Sequence, residues 1–377
     1  MLDLTESRYD RQERISWWDQ SRLTAARVLV VGAGALGNEI VKNLALVGVG
    51  NIDIVDMDSI EGSNLARCAL FRDSDRGRPK AEVLAEAAAA INPDVTLTAF
   101  VCPVQQLGAA WLRQYDVIIA GLDSREARLW VNASCRRMGM SWIDGAIEGL
   151  QGIVRVFGPD GPCYDCTLGE SDRAVISHRR SCALLSPDEL ASGKTPTNAT
   201  TAAVVAGLEV QEAIKMIVGR PDLLALNGKV WRLDGETMMT SVIAYTEDPD
   251  CMSHETFHRW VTAPSEYASL QDIISHVGVM EDRSVDTVYF PDDVISVHPC
   301  AACGTGDDIV GLRPLLGLGA GRCASCDSAR RIESRTSITT TDDLASIPWV
   351  EWLWPRREAI SLRAGDDFVH VILEGRP

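Results

Sequence analysis

The chain has 377 residues, 46% of them apolar and 24% charged, a globular composition with length for two or three domains that excludes a disordered polymer. Its formal net charge of −17 would repel phosphate backbones and anionic lipid, so neither a nucleic-acid nor a membrane partner is expected. No apolar run approaches the ~20 residues of a membrane span. Residues 1–8 also lack the basic-then-apolar pattern of a signal peptide, so a cytoplasmic protein is expected, and its 11 cysteines then point to metal or catalysis before disulfides.

Residues 27–34 form a β-rich apolar run ending in glycine, the pattern of a buried parallel strand. A helix pattern follows over 35–47, then a strand over 52–55 closed by Asp56. An Ala-rich helix over 80–91, strands over 95–101 and 116–120, a helix over 125–138 and a strand over 141–147 continue the alternation. This predicts βαβ units and an α/β, doubly wound, Rossmann-like, mostly parallel sheet. Residues 153–157 read as an antiparallel extension and 167–198 as a long, mobile polar loop. A helix over 200–218 comes next, then strands over 229–233 and 239–245 around the turn Asp234-Gly235-Glu236. From 255 the composition shifts to Trp-rich and acidic segments with a Gly-rich stretch at 316–322 and only two credible strands, the second at 368–373. The expected division is a domain over 1–254 and a small C-terminal region over 255–377.

Gly32-Ala33-Gly34-Ala35-Leu36-Gly37 is G-x-G-x-x-G between a strand and a helix, a loop whose backbone can approach a phosphate at a helix N-terminus. Asp56 ends the next strand, placed to accept from ribose hydroxyls. Alone, this pattern favours a nicotinamide or flavin dehydrogenase. The stretch from Asp56 through Asp58 to Asn64 and Arg67, with Lys80 beyond it, alters that reading. Two cations and a polar Asn suit a triphosphate under attack better than a docked pyrophosphate. Asp123, after Leu122 at the end of the fourth strand, can hold Mg²⁺ against phosphates.

With Arg8-Tyr9-Asp10-Arg11-Gln12, the glycine loop, Asp56, Ser63-Asn64-Leu65-Ala66-Arg67, Lys80, Leu122-Asp123 and Cys163-x-x-Cys166, residues 8–254 resemble the ubiquitin-activating E1-like superfamily. That superfamily includes the ThiF-type adenylyltransferases for molybdopterin and thiamine sulfur carriers, and the compact organisation resembles its bacterial members. The resemblance implies binding of ATP with Mg²⁺ and adenylation of a protein C-terminal carboxylate, usually after Gly. Asp56 would bind ribose, Asn64, Arg67 and Lys80 would contact phosphates, and Asp123 would bind the metal. Arg11 would reach the γ-phosphate of the opposite subunit in a homodimer. Cys68 departs from the Gln that family members commonly carry there.

Such members also carry two C-x-x-C pairs. Here the second pair is Cys251 and His254, so a structural zinc on Cys163, Cys166, Cys251 and His254 is expected, against a free thiol and a surface imidazole. Independently, Cys300-x₂-Cys303-x₁₉-Cys323-x₂-Cys326 has zinc spacing, with a disulfide pair or an iron–sulfur cluster as the alternatives.

Of the remaining thiols, Cys102 and Cys135 read as core and Cys68 as either buried or reactive. Cys182 follows His178-Arg179-Arg180-Ser181, whose cations favour a thiolate. Its position resembles that of the catalytic cysteine in compact E1 enzymes, against the reading of an inert loop cysteine. The expected function is activation of a ubiquitin-like protein by adenylation, thioester formation on Cys182 and transfer to an E2-like conjugating enzyme. The alternative is a sulfur-carrier adenylyltransferase without an obligatory thioester. A nicotinamide oxidoreductase or a catalytically silent scaffold leaves Arg67, Lys80 and Asp123 unexplained. The Trp349, Trp352 and Trp354 group would be either core or a docking patch for the conjugating enzyme or the carrier.

Overall fold

A computed structural model describes residues 7–170, 196–263, 269–316 and 319–374. The chain forms two compact units. The first holds the chain up to Val104, Leu112–Leu168 and the stretch from 196 to Glu255; the second holds Gln105–Trp111 and the chain from Thr256.

The first unit is built on an eight-stranded sheet of order β3-β2-β1-β4-β5-β6-β7-β8. β1 (Arg27–Val31), β2 (Asn51–Val55), β3 (Thr96–Phe100), β4 (Val117–Ala120) and β5 (Trp142–Glu148) are parallel. β6 (Gln151–Phe157), β7 (Lys229–Asp234) and β8 (Met239–Ala244) continue it antiparallel. Strand order runs outward from β1 in both directions, so the crevice between β1 and β4 is the topological switch point. β1 and β4 are buried on both faces, which is why they read as unbroken apolar runs. β8 is exposed along its whole length at the sheet edge.

Six helices of the chain are described: α1 (Gln20–Ala25), α2 (Ala35–Val47), α3 (Lys80–Ile91), α4 (Arg125–Met138), α5 (Ala199–Ile217) and α6 (Leu270–Glu281). Their ends follow local chemistry. Ser124 caps α4 by accepting from the Ala127 amide, and Asn198 caps α5 by accepting from Thr201. α2 and α4 end at Gly48 and Gly139, both left-handed.

The second unit has more sheet than its sequence suggests. α6 packs with a seven-stranded sheet of order β13-β11-β10-β14-β15-β9, with β12 also paired to β10. The strands are β9 (Trp260–Thr262), β10 (Val285–Val297), β11 (Ile309–Leu312), β12 (Ile332–Thr339), β13 (Trp352–Leu353), β14 (Arg357–Ala364) and β15 (Asp367–Glu374). β10 changes neighbours midway. Val285–Tyr289 pairs with β14, Val294–Val297 pairs with β11, and β12 flanks both halves across an irregularity. Trp349, Trp352 and Trp354 are buried in this unit's own core, with ring centroids of Trp349 and Trp354 4.3 Å apart, so the group is core. Glu358 of β14 is buried and accepts from the Ala109 amide at 3.1 Å, which ties the Gln105–Trp111 segment into the unit.

Main chain approaches main chain closely at the switch point. Gly32 has φ +98°, and a Cβ there would meet Gly121 O at 2.7 Å. A Cβ on Gly37 would sit 1.9 Å from Gly32 O. Gly34 differs, because a Cβ there meets nothing within 4 Å. Gly37→Ala is therefore expected to lose at least ~2 kcal/mol in urea unfolding or to fail to fold, whereas Gly34→Ala should unfold within ~0.5 kcal/mol of the parent.

Candidate functional site

The glycine loop, Asp56 and Asp123 follow three neighbouring strand ends at the switch-point crevice. After β1, the Gly32 amide donates to Val55 O, and after β4 the Gly121 amide donates to Val31 O, so neighbouring turns are tied to each other's strands. Asp56 follows β2. Its Oδ2 accepts from the Ala33 amide inside the glycine loop at 2.7 Å, and its Oδ1 accepts from Asp58 at 2.8 Å. Burial pushes the Asp56 carboxyl above its ordinary value, with those two amides pulling the other way.

Lys80, the first residue of α3, is largely buried and donates to the exposed Asp58 at 2.7 Å. Burial works to lower its pKa, but the Asp58 hydrogen bond and the charges of Asp56, Asp58 and Asp123 outweigh it and raise it. Asp123 is exposed beside Leu122, within electrostatic reach of Lys80. Asn64 is buried and accepts from the Glu61 amide at 2.8 Å, closing a short turn that presents Arg67. Arg67 and Lys80 both act on Cys68, yet that thiol is buried, and desolvation pushes it up to about 11. Cys68 is therefore a core thiol. Cys102 and Cys135 are buried as well.

Asn38, on α2, carries no signal in the sequence, yet it holds the loop in place. Its Nδ2 donates to Ala33 O at 3.0 Å and Gly34 O at 3.1 Å, while its Oδ1 accepts from the Leu70 amide. The glycine loop and the Asn64–Leu70 stretch are thus one unit. In the Arg8–Gln12 motif, Tyr9 packs on Gly48 and accepts from Asn92 at 2.8 Å, and Gln12 donates to Val47 O at 3.0 Å. These two residues hold the end of α2, and Arg11 lies exposed between them.

A buried charge cluster lies behind the crevice. Asp144 of β5, fully buried, accepts from Arg128 Nε at 2.7 Å and Arg155 Nε at 2.9 Å; Asp144 and Arg155 are cross-strand partners. Arg128 Nη2 also donates to Gly145 O at 3.1 Å and to Leu122 O. Glu209 of α5 is wholly buried, and neither of its oxygens has a hydrogen-bond partner. Its carboxyl fills the space a Cβ on Gly145 would need, with Oε2 2.4 Å from that position. Burial, and then the Asp144 charge, push Glu209 well above the usual carboxylate range.

Two tetrads could each hold a metal ion, with ligand atoms within 4.8 Å of one another: Cys163, Cys166, Cys251 and His254, and Cys300, Cys303, Cys323 and Cys326. Two sulfurs on one tetrahedral zinc stand about 3.8 Å apart, given zinc–sulfur bonds of about 2.3 Å. The Cys163–Cys166 and Cys163–Cys251 separations are 3.7 Å, and Cys300–Cys326 and Cys303–Cys323 are 3.6 and 3.5 Å. A disulfide needs about 2.05 Å. In the first tetrad His254 turns Nε2 to Cys166 at 3.1 Å and Nδ1 to Glu247 at 3.3 Å, the orientation of a ligating imidazole held from behind. The second tetrad joins two matching turns. Each has a backbone bond back to its first cysteine carbonyl, from Gly304 and from Asp327, and both of those residues have positive φ. The Thr305 hydroxyl beside Cys303 Sγ at 3.2 Å, with the Thr305 amide, draws that thiol down to about 6. Cys182 lies outside the described residues.

A model of the ThiF family matches residues 9–253. The SAMP-activating enzyme E1 of Haloferax volcanii is 32% identical over 261 residues, which span 66% of this chain and 89% of that protein. The NEDD8-activating enzyme E1 catalytic subunit of Dictyostelium discoideum is 43% identical over 159 residues, 38% of this chain and 35% of that one. Among solved structures, E. coli MccB with ATP aligns at a TM-score of 0.55 and 24% identity, covering 67% of this chain and 75% of that chain, a likeness of fold. No described helix is long and apolar enough to cross a membrane.

A raised pKa means that folded Glu209 keeps a proton the unfolded chain releases above about pH 4.3. Wild-type stability should therefore fall as pH rises from there toward the folded-state value. Glu209→Gln removes that loss, so thermal melts at about pH 5 and pH 8 should show its Tm, relative to wild type, rising with pH.

Proposed function

Because the chain belongs to the ThiF family, we propose that it uses ATP and Mg²⁺ to adenylate the C-terminal carboxylate of a ubiquitin-like protein ending in Gly. The observation that carries this is the convergence of the glycine loop, Asp56, Lys80 and Asp123 on one crevice at the strand ends. A nucleotide fits there on physical grounds. Gly34 leaves open the space a side chain would fill at the start of α2, where backbone amides favour an anion. Asp56, already fixed by two backbone amides, offers its carboxylate to ribose. Lys80 exchanges Asp58 for phosphate, and Arg67 and Asn64 face the same charge. Asp123 would hold Mg²⁺, which when bound neutralises charge on the phosphate oxygens.

The reaction joins a carboxylate oxygen to the α-phosphorus and releases pyrophosphate. The cations favour it because negative charge accumulates on the departing group in the transition state. We further read Cys182 as the thiol that attacks the acyl carbon, forming a thioester as AMP leaves, before transfer to an E2-like partner. Arg11 would complete the site of a second subunit in a homodimer. The two tetrads would hold structural zinc, one at the end of the first unit and one where β10, β11 and β12 of the second begin or end; closed thiolate and imidazole sites of this kind perform no chemistry.

The purified protein with its Gly-ending carrier is expected to catalyse ATP–pyrophosphate exchange, and Arg67→Ala or Lys80→Ala should lower that rate at least ~10²-fold. Cys182→Ala should keep exchange and lose a thiol-sensitive carrier adduct. Exchange with no adduct in the wild type would instead indicate sulfur-carrier adenylation, and absence of exchange with any carrier would overturn the reading. Metal analysis should find close to two zinc ions per chain, and chelation should lower Tm.

A further inference from the structure

The Leu122–Asp123 turn is held by a buried side chain through the Leu122 carbonyl. Arg128, one turn into α4, is 7% exposed. Its guanidinium spans three elements, with Nε on Asp144 of β5 at 2.7 Å and Nη2 on Gly145 O and on Leu122 O. Leu122 O belongs to the peptide unit that carries the Asp123 amide, so the bond fixes the plane from which the Asp123 side chain departs. Ser124 then starts α4 by accepting from Ala127, so the turn is held at both ends.

The anchor is itself rigid. Asp144 is wholly buried and takes a second guanidinium from Arg155 across the β5–β6 pair. Glu209 seals the far side of Gly145 with a carboxyl that has no hydrogen-bond partner. A buried ion pair of this kind adds little net stability compared with apolar packing, so its geometry needs another account.

We propose that Arg128 is a positioning residue that sets the Asp123 carboxylate for Mg²⁺, through Leu122 O and Asp144. This rests on the reading of Asp123 as the metal-binding carboxylate. The planar fork matters, because an ammonium cannot span Asp144 and two carbonyls in fixed directions.

The test measures binding rather than turnover. A fluorescent, non-hydrolysable ATP analogue is titrated with and without Mg²⁺ into the full-length wild type, Asp123→Asn, Arg128→Lys and Arg128→Gln. The ratio of the two affinities is the coupling between metal and nucleotide. The wild type should gain at least ~10-fold with Mg²⁺, and Asp123→Asn should lose that gain. Arg128→Lys should lose most of the gain while its Mg²⁺-free affinity stays within ~3-fold of wild type. A purely structural role would lower Tm and both affinities together and leave the ratio intact, and that result overturns the proposal. Failure of both Arg128 variants to fold would assign the pair to stability alone and overturn it too. A wild type that binds no nucleotide, or gains nothing with Mg²⁺, overturns the functional reading, which separates the two failures.

Discussion

The first unit is organised around backbone touching backbone at the switch point. Gly32, Gly37 and Gly121 interlock so closely that a methyl group on any of them would collide with a neighbouring main chain or with Leu36. That contact brings the turn after β1 against the turn after β4. It therefore decides how far the α2 N-terminus stands from Asp123, and so the width of the crevice. Asp56 and Asn38 then tie the loop to its surroundings from opposite sides, one through the Ala33 amide and the other through carbonyls. Of the three loop glycines, Gly34 alone has open space where a side chain would stand.

Charge is arranged around that contact. The chain is strongly acidic overall, yet Arg67 and Lys80 both lie within electrostatic reach of Cys68, and Lys80 within reach of Asp56 and Asp123. The acidic background would oppose an anion near these cations only weakly, because charges beyond about 8–10 Å are screened by salt. Deeper in, Asp144 is compensated twice and Glu209 not at all. With Glu209 holding its proton, the two guanidiniums and the single Asp144 carboxylate leave this inner cluster with a formal positive charge, fixed in place by pairing.

Much of this was legible in the sequence where the pattern was periodic or the geometry local. Helices α2, α3 and α4 fall where apolar spacing placed them, and the glycine loop and the Cys300–Cys326 set are short-range signatures, whereas the Cys163, Cys166, Cys251 and His254 set joins distant segments and was reached through the family resemblance. α1 was invisible because six residues are too few to show a period. The second sheet was missed for more specific reasons. β10 is interrupted by Pro291-Asp292-Asp293, and β14, Arg357–Ala364, is written largely in good helix formers that tertiary burial forces into a strand. Asn38, Arg128 and Glu209 escaped because a polar residue inside a helix reads as solvent-facing until the neighbour that covers it is known.

The Gly145–Glu209 contact constrains how this lineage can diverge. Neither position can drift by itself: any side chain at 145 needs a shorter residue at 209, and shortening 209 first opens a void beside a desolvated guanidinium. Both single steps pass through a weakened intermediate, so exchange at the two sites is epistatic and should occur as correlated replacement among relatives, or not at all.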